Sequence, residues 1–123
     1  MKTIKKITGM MILAAVFTLT SVTPGLAGAV GGRQYNTYRL YGNSYNNFGV
    51  TFRGGEIARV YVNGDGSTDL DLYIYDQYGR LIVYDNDYSD SCFVKWFPIY
   101  TGTFTIQVVN RGGYCNIYRI STN

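Results

Sequence analysis

The 123-residue sequence contains no histidine, only two cysteines and only two prolines. Without histidine there is no Ser-His or Cys-His pair, the arrangement that most often activates a nucleophile. Zinc and other metals that prefer imidazole are disfavoured, because two cysteines alone cannot complete a tetrahedral site. A serine-lysine pair would have to use Lys95, which lies beside Trp96 in a segment of alternating apolar residues. We therefore expect no enzyme.

Long apolar runs are also missing, with one exception near the N-terminus. Residues 1–6 are basic, residues 10–20 are apolar, and Ala27-Gly28-Ala29 is a small-x-small cleavage motif. These features are typical of a secretory signal peptide, and the apolar run is too short for a stable membrane span. We predict a signal peptide over residues 1–29, no membrane span, and a protein that is secreted or periplasmic.

Basic residues are scarce once the predicted signal peptide is removed. The eleven Lys and Arg residues, less Lys2, Lys5 and Lys6, leave eight, which equals the number of Asp and Glu residues. The mature chain is then neutral, with its arginines scattered along the sequence. A neutral chain has no basic field that attracts nucleic acid or an anionic membrane, so we expect neither as a partner.

What the sequence does have is thirteen tyrosines, fifteen glycines and many short segments with alternating apolar residues. The alternation is clear from Phe48 onward, with turn signals between segments. About seven strands with one apolar face each predict an all-β protein, an antiparallel, jelly-roll-like β-sandwich over residues 48–123, because each apolar face must be buried on a second sheet. We expect residues 30–47 to form a Tyr- and Asn-rich, partly ordered leader, with a short strand near residues 38–41 as the alternative.

The sequence does not decide whether the two cysteines form a disulfide. Cys92 shares its side of a predicted strand with apolar residues, so it points inward. Cys115 points outward if Tyr118 and Ile120 are core residues, and inward if Ile117 is a core residue instead. A disulfide can persist in an exported chain, but Cys92 and Cys115 meet only in the second case or through a bulge.

Two motifs, in this order, carry a resemblance to a known family. The first is "GDGSTDLDLY" from Gly64 to Tyr73, and the second is "WFPIYTGTFTIQVVNRG", which begins at Trp96. Together they resemble the bacterial pre-peptidase C-terminal (PPC) domain, in its small, stand-alone exported form, over residues 48–123. The resemblance implies a jelly-roll-like sandwich that is not itself catalytic and is usually attached to secreted peptidases. Some related collagenase-associated domains bind calcium and substrate fibres.

Calcium takes about six to eight hard oxygen ligands, several of them carboxylates. The candidate ligands are Asp65, Asp69, Asp71 and Asp87. Turn aspartates commonly bond to nearby backbone N–H groups, which is the alternative for Asp65 and Asp87. Aspartate is disfavoured inside strands, so Asp69 and Asp71 need a partner. That partner is Arg59 or Arg119, a set of backbone donors, or Ca²⁺.

Three tyrosines are candidate ligand-binding residues: Tyr61, Tyr73 and Tyr75. They lie on the side opposite the predicted core, in two segments separated by "NGDGST", which predicts a hairpin and makes their strands neighbours. Exposed aromatic rings bind sugars or peptides through a flat apolar face and a polar tip. The alternative is ordinary cross-strand pairing on a half-exposed sheet.

The sequence thus predicts an exported, non-catalytic β-sandwich module that binds an extracellular polysaccharide or protein surface, with calcium as an optional aid. The alternative is a structural or accessory partner of a separately encoded secreted peptidase or other exported enzyme. A small hydrolase with paired carboxylates is a third and weaker hypothesis, because a domain of this size seldom holds the cleft that such chemistry needs.

Overall fold

The computed structural model of the protein describes residues 28–123, which contain eight β-strands and no helix. The strands are β1 (Tyr35–Leu40), β2 (Tyr45–Phe52), β3 (Ala58–Asn63), β4 (Leu70–Tyr75), β5 (Leu81–Asp85), β6 (Ser91–Trp96), β7 (Gly102–Asn110) and β8 (Asn116–Thr122). In this part of the chain, no helix is therefore long and apolar enough to cross a membrane.

The strands form two four-stranded antiparallel sheets. Sheet I has the order β1-β8-β3-β6, and sheet II has the order β2-β7-β4-β5. Among the described strands, β4 and β5 are the one consecutive pair that lies side by side, and each other connection crosses to the opposite sheet. This strand order is that of a jelly roll. The prediction of an all-β, antiparallel sandwich is confirmed, with eight strands rather than about seven.

The core lies between the sheets and consists of alternate residues of the strands. Successive residues of a strand point to opposite faces, so a strand can bury one side and turn the other outward. The edge strand β5 is the exception, because it has no buried residue and only Val83 packs against the core. The alternation predicted from Phe48 onward is confirmed by the buried side chains, which are Phe48, Val50, Phe52, Ala58, Val60, Val62, Leu70, Leu72, Ile74, Cys92, Val94, Phe104, Ile106, Val108, Tyr118 and Ile120.

The segment from residue 30 to 47 contributes strands to both sheets. It contains all of β1 and the first three residues of β2. The centroid of the Tyr38 ring lies 4.7 Å from that of Phe48 and 6.1 Å from that of Tyr118. The sequence of this segment lacks a clear apolar alternation because several inward-facing residues are polar. Asn46, for example, is buried because its side-chain amide donates to the Tyr118 hydroxyl at 2.9 Å.

The "NGDGST" segment is a crossover and not the predicted hairpin. The strand before it, β3, belongs to sheet I, whereas β4 after it belongs to sheet II. Gly66 has the positive φ, 87°, that an Asp-Gly pair favours. The turn residues therefore locate the bend, but the sheet that the next strand joins depends on packing between residues distant in sequence.

Residues 1–27, most of the predicted signal peptide, lie outside the described residues. The last two residues of that prediction, Gly28 and Ala29, belong to the sandwich. Ala29 is fully buried, forms an isolated bridge with Phe52 and donates its N–H to the carbonyl of Asn123 at 3.0 Å. The Gly28 carbonyl accepts from the N–H of Arg53 at 2.9 Å. This short segment thus contacts both sheets at one end.

Candidate functional site

Asp71 lies on the outward side of β4 but is only 4% exposed. Its Oδ2 accepts hydrogen bonds from Arg111 Nε at 2.6 Å and from the Tyr73 hydroxyl at 3.3 Å. Arg111 also donates to the Tyr73 oxygen at 3.0 Å, and its hydrogen bond to Asp71 raises the pKa of the guanidinium. Arg59 and Arg119, the two arginines named among the alternatives, lie in sheet I, so the arginine that pairs with Asp71 is a different one, Arg111.

Asp69 directly precedes β4 and lacks a cation of its own. Its Oδ1 is buried and makes no hydrogen bond to residues 28–123. Burial raises the pKa of Asp69, and the charges of Asp71, Asp87 and Asp90 raise it further, while Arg111 acts in the opposite direction. Asp69 is thus a partly buried carboxylate in an acidic environment.

Asp65 and Asp87 accept hydrogen bonds from backbone N–H groups. Asp65 Oδ1 accepts from the N–H of Ser67, and its Oδ2 accepts from the N–H of Ile117, both at 3.0 Å. Hydrogen bonds, first that of the Ser67 hydroxyl, lower the pKa of Asp65. Asp87 Oδ1 accepts from the N–H of Ser89 at 3.2 Å. These contacts match the alternative role of turn aspartates.

Residues 28–123 contain no group of three or more His, Cys, Asp or Glu side chains placed to hold a metal ion. Asp71 is paired with Arg111, and Asp65 and Asp87 accept from backbone donors. Asp69 and Asp71 each keep one buried carboxylate oxygen without a hydrogen-bond partner in this part of the chain. The calcium site therefore stays a prediction, without a described cage of the kind that Ca²⁺ takes.

The three candidate tyrosines do not form one surface. Tyr61 lies on the outer face of sheet I, whereas Tyr73 and Tyr75 lie on the outer face of sheet II. Side-chain parity identified the outward side of each strand, but it carries no information about which sheet the strand joins. The placement of all three on neighbouring strands was wrong, because the chain changes sheets between β3 and β4.

An aromatic row crosses the outer face of sheet I. The strand registers align Tyr35, Ser121, Tyr61 and Phe93 across the four strands. The Tyr61 and Phe93 rings stack with their centroids 4.7 Å apart and their planes at 27°. Tyr35, Tyr61 and Phe93 are 55%, 39% and 42% exposed, so the row presents aromatic surface to solvent.

Cations lie on both sides of this row. Arg119 lies on one side, and Arg59 lies on the other, opposite Lys95 in the neighbouring strand. Arg33 places its guanidinium carbon 5.9 Å from the centroid of the Tyr35 ring. The three arginines and the tyrosines of the row line an open groove of about 660 Å³.

An apolar patch lies at one end of the sandwich, around the loop between β6 and β7. Phe97, Ile99 and Tyr100 of that loop are 59%, 75% and 83% exposed. They line a second, mainly apolar concavity of about 350 Å³. Trp96 and Phe104 join the patch to the core, with ring centroids 5.3 Å apart.

Both cysteines are free thiols in the structure. Cys92 is buried, and its thiol donates to the carbonyl of Leu70 at 3.2 Å. Burial and nearby carboxylates raise the pKa of Cys92, which favours the protonated thiol. Tyr118 is a core residue and Ile117 is 42% exposed, which is the arrangement that turns Cys115 away from the core.

No protein-family profile and no curated protein sequence matches the chain. Solved structures do match it in fold. The pre-peptidase C-terminal domain of the collagenase from Bacillus anthracis is 12% identical with a TM-score of 0.60, over 82% of this chain and 98% of that one. PliG of Aeromonas hydrophila, a periplasmic inhibitor of g-type lysozyme, is 16% identical with a TM-score of 0.57, over 85% and 95%. The Yersinia pseudotuberculosis-derived mitogen is 12% identical with a TM-score of 0.56, over 75% and 85%. At these identities the likeness shows a PPC-like fold.

Several residues of the outer faces were not anticipated from the sequence. Arg111 was missed because it lies beyond the end of β7 and reaches Asp71 across the sheet. The groove on sheet I was missed because Tyr35 and Arg119 are brought to Tyr61 only through strand pairing. One signal of the groove was available in the sequence: the alternation of side chains along β3, which places Arg59 on the same side as Tyr61.

Proposed function

We propose that the protein is an exported, non-catalytic member of the PPC family that binds an extracellular polysaccharide through the outer face of sheet I. The observation that carries the proposal is the row of Tyr35, Tyr61 and Phe93 across an open sheet face. The rings are exposed to solvent. Because they lie on regular strands, the sheet fixes their positions.

The chemistry of the row suits a sugar polymer. A pyranose ring has an apolar face of C–H groups and a rim of hydroxyls, and tyrosine offers an apolar ring with a polar tip. Ser121 and Asn63 lie beside Tyr61 and provide donors and acceptors for hydroxyl groups. A groove that is open along its length admits an internal stretch of polymer, which a closed pocket does not.

The proposal assigns no reaction to the protein. Two buried titratable groups are occupied by hydrogen bonds within the fold. Asp71 bonds to Arg111, and the Cys92 thiol bonds to the Leu70 carbonyl. The fold supports a binding role by likeness, since it occurs in the PPC domain of a collagenase and in a periplasmic lysozyme inhibitor.

Retention on insoluble polysaccharides tests the proposal. The purified exported protein is applied to a panel of cell-wall and matrix polysaccharides, and the bound fraction is compared with that of Tyr61→Ala and Tyr84→Ala. Tyr84 is the matched control, because it is 53% exposed on β5 in sheet II. We expect Tyr61→Ala to lose about tenfold or more in affinity and Tyr84→Ala to bind as the wild type does.

A second candidate function is that of an accessory partner of a separate exported enzyme. The apolar patch of Phe97, Ile99 and Tyr100 favours it, because exposed apolar clusters mark protein contacts. The test is complex formation between the purified protein and a secreted peptidase encoded beside it, measured by size-exclusion chromatography. Loss of the complex in Phe97→Ser, but not in Tyr61→Ala, would assign the contact to the patch.

A further inference from the structure

We propose that the groove on sheet I takes an anionic polysaccharide and holds its carboxylate or sulfate groups with Arg33, Arg59 and Arg119. This inference rests on the proposed function and names its substrate class. It comes from the distribution of charge between the sheets, which the neutral total charge of residues 30–123 conceals.

Charge is fully segregated between the strands of the two sheets. The strands of sheet I contain Arg39, Arg59, Lys95 and Arg119 and no carboxylate. The strands of sheet II contain two aspartates and no basic residue. Side chains at odd-numbered positions of the sheet I strands point outward, so all four cations lie on the same face as Tyr61.

The cations of the groove have no ionic partners among residues 28–123. The two ion pairs in this part of the chain are Arg80 with Asp76 and Arg111 with Asp71. Arg33, Arg59 and Arg119 are therefore free to meet a negative group from outside the protein. A concave surface lined by charge of one sign focuses its field and attracts ligands of the opposite sign.

The cations flank the aromatic row on both sides. Neighbouring strands lie about 4.8 Å apart, so the row from Tyr35 to Phe93 is about 14 Å long. Arg119 lies two residues from the row on one side, and Arg59 lies two residues from it on the other, each about 7 Å away along its strand. A polymer that lies along the row thus has guanidinium groups on both flanks. The planar fork of arginine suits carboxylate and sulfate groups, which accept two hydrogen bonds at once.

This arrangement favours a polysaccharide over other polyanions. Nucleic acid binding depends on neutralising many phosphates at once, and the eight carboxylates of residues 30–123 cancel the basic charge at long range. An acidic protein surface is usually held around a buried apolar anchor, whereas Tyr35, Tyr61 and Phe93 here form a partly exposed row across a sheet face. A sugar chain with an acidic group on each unit, or on alternate units, matches both the row and its flanks.

Two matched pairs of polymers test the inference. Polygalacturonate is compared with carboxyl-reduced polygalacturonate, which keeps the sugar backbone and loses the charge, and dextran sulfate is compared with dextran. Affinity is measured by titration at about 50 mM and about 500 mM salt, a range over which exposed charges become screened. We expect binding to at least one charged polymer to be about tenfold or more tighter than to its neutral partner, with the difference falling at high salt.

The test variant is the double substitution of Arg59→Gln and Arg119→Gln. The control is Arg80→Gln, which also removes positive charge, but from the β4–β5 hairpin of sheet II. We expect the double variant to lose the preference for charged polymer while it keeps its affinity for the neutral one. Arg80→Gln is expected to keep the preference. Melting temperatures of all variants establish that each is folded.

The outcomes separate this inference from the proposed function. Equal binding of a charged polymer and its neutral partner overturns the inference and leaves polysaccharide binding in place. Binding to none of the four polymers or the wider polysaccharide panel overturns both. Tighter binding to poly-glutamate or to DNA than to either charged polysaccharide also overturns the inference, because the groove then selects another class of polyanion.

Discussion

In sheet II the charged strand residues are in structural contacts, whereas in sheet I they are not. Asp71 is bonded to Arg111, and Asp85 accepts from the N–H of Phe93 at 3.0 Å, which links sheet II to β6. The outward cations of sheet I, such as Arg59 and Arg119, have no ionic partner among residues 28–123. Charge in sheet II thus takes part in contacts within the fold, whereas the cations of sheet I are without ion pairs among residues 28–123, as the proposed ligand site requires.

The largest expected effect is on stability, from replacing Arg111 with alanine. This change leaves Asp71 buried without its cation, and an unpaired buried charge is strongly destabilising. Arg111 itself is half exposed, so we expect a loss of about 1–3 kcal/mol in the free energy of unfolding rather than more.

The matched variant in sheet I is Arg59→Ala. Because its guanidinium has no ion pair in the described chain, we expect a change within about 0.5 kcal/mol. Urea unfolding curves of the two variants give the comparison. Equal losses would contradict the distinction between a structural arginine in sheet II and an unpaired one in sheet I.

The next effect concerns the segment that joins the two sheets at one end. A chain that begins at Val30 lacks the hydrogen bonds from the Ala29 N–H to Asn123 and from the Arg53 N–H to the Gly28 carbonyl. At about 1 kcal/mol for each bond, we expect a loss of about 2 kcal/mol compared with a chain that begins at Gly28. Thermal unfolding of the two chains measures it.

The same contacts bear on where an exported chain is cleaved. Gly25-Leu26-Ala27 is also a small-x-small motif, and cleavage after Ala27 keeps Gly28 and Ala29 in the protein. We expect the mass of the exported protein to correspond to a first residue at Gly28. A mass that corresponds to Val30 would support the boundary at residue 29.

A smaller effect, of opposite sign, is expected at the acidic end of sheet II. The pKa of Asp69 is raised above its ordinary value of 3.8, so its charge opposes folding at pH values above the raised pKa. Asp69→Asn should increase the melting temperature at pH 7 by a few degrees, about 1 kcal/mol or less. The gain should decrease as the pH falls through the raised pKa and vanish below 3.8, where the carboxyl is neutral in both states.

Calcium addition sharpens this experiment. If Ca²⁺ binds at Asp69, millimolar Ca²⁺ raises the melting temperature of the wild type and not that of Asp69→Asn, since ligand binding stabilises the native state. An equal response of both proteins would remove Asp69 from the set of candidate ligands.

The smallest effect is expected from reductant. Cys92 and Cys115 are free thiols, so no cross-link between β6 and the β7–β8 loop is broken by reduction. The melting temperature should be the same with and without dithiothreitol. A decrease of more than a few degrees would show that the protein carries a disulfide.

Much of the fold was predictable because it depends on alternation. Outside β5, the positions from Phe48 to Ile120 that alternate as apolar are buried or, like Trp96, packed against the core, since a strand in a two-layer sandwich buries one side. The strand β1 was less visible, because its inward side chains include Asn36 as well as Tyr38 and Leu40. Polar residues can occupy such positions when a neighbour satisfies them, and local sequence does not show that neighbour.

The candidate site was predictable only in part, for a topological reason. Parity assigned Tyr61 and Tyr73 correctly to outward sides, but sheet membership depends on which distant strands pair. The partner of Asp71 is forty residues away in Arg111, and Tyr61 stacks on a residue of another strand, Phe93. Contacts of this kind belong to the tertiary structure, so a sequence pattern cannot identify them.

The most direct test of the account is an NMR titration of the ¹⁵N-labelled protein with short oligomers of whichever charged polymer, polygalacturonate or dextran sulfate, binds more tightly, read as chemical-shift changes of the backbone amides. The account predicts that the changes cluster on sheet I, at Tyr61, Phe93 and Ser121, and leave the outward positions of β4 and β5 unchanged. Changes centred on the apolar patch around Tyr100, or on the outer face of sheet II, would contradict it.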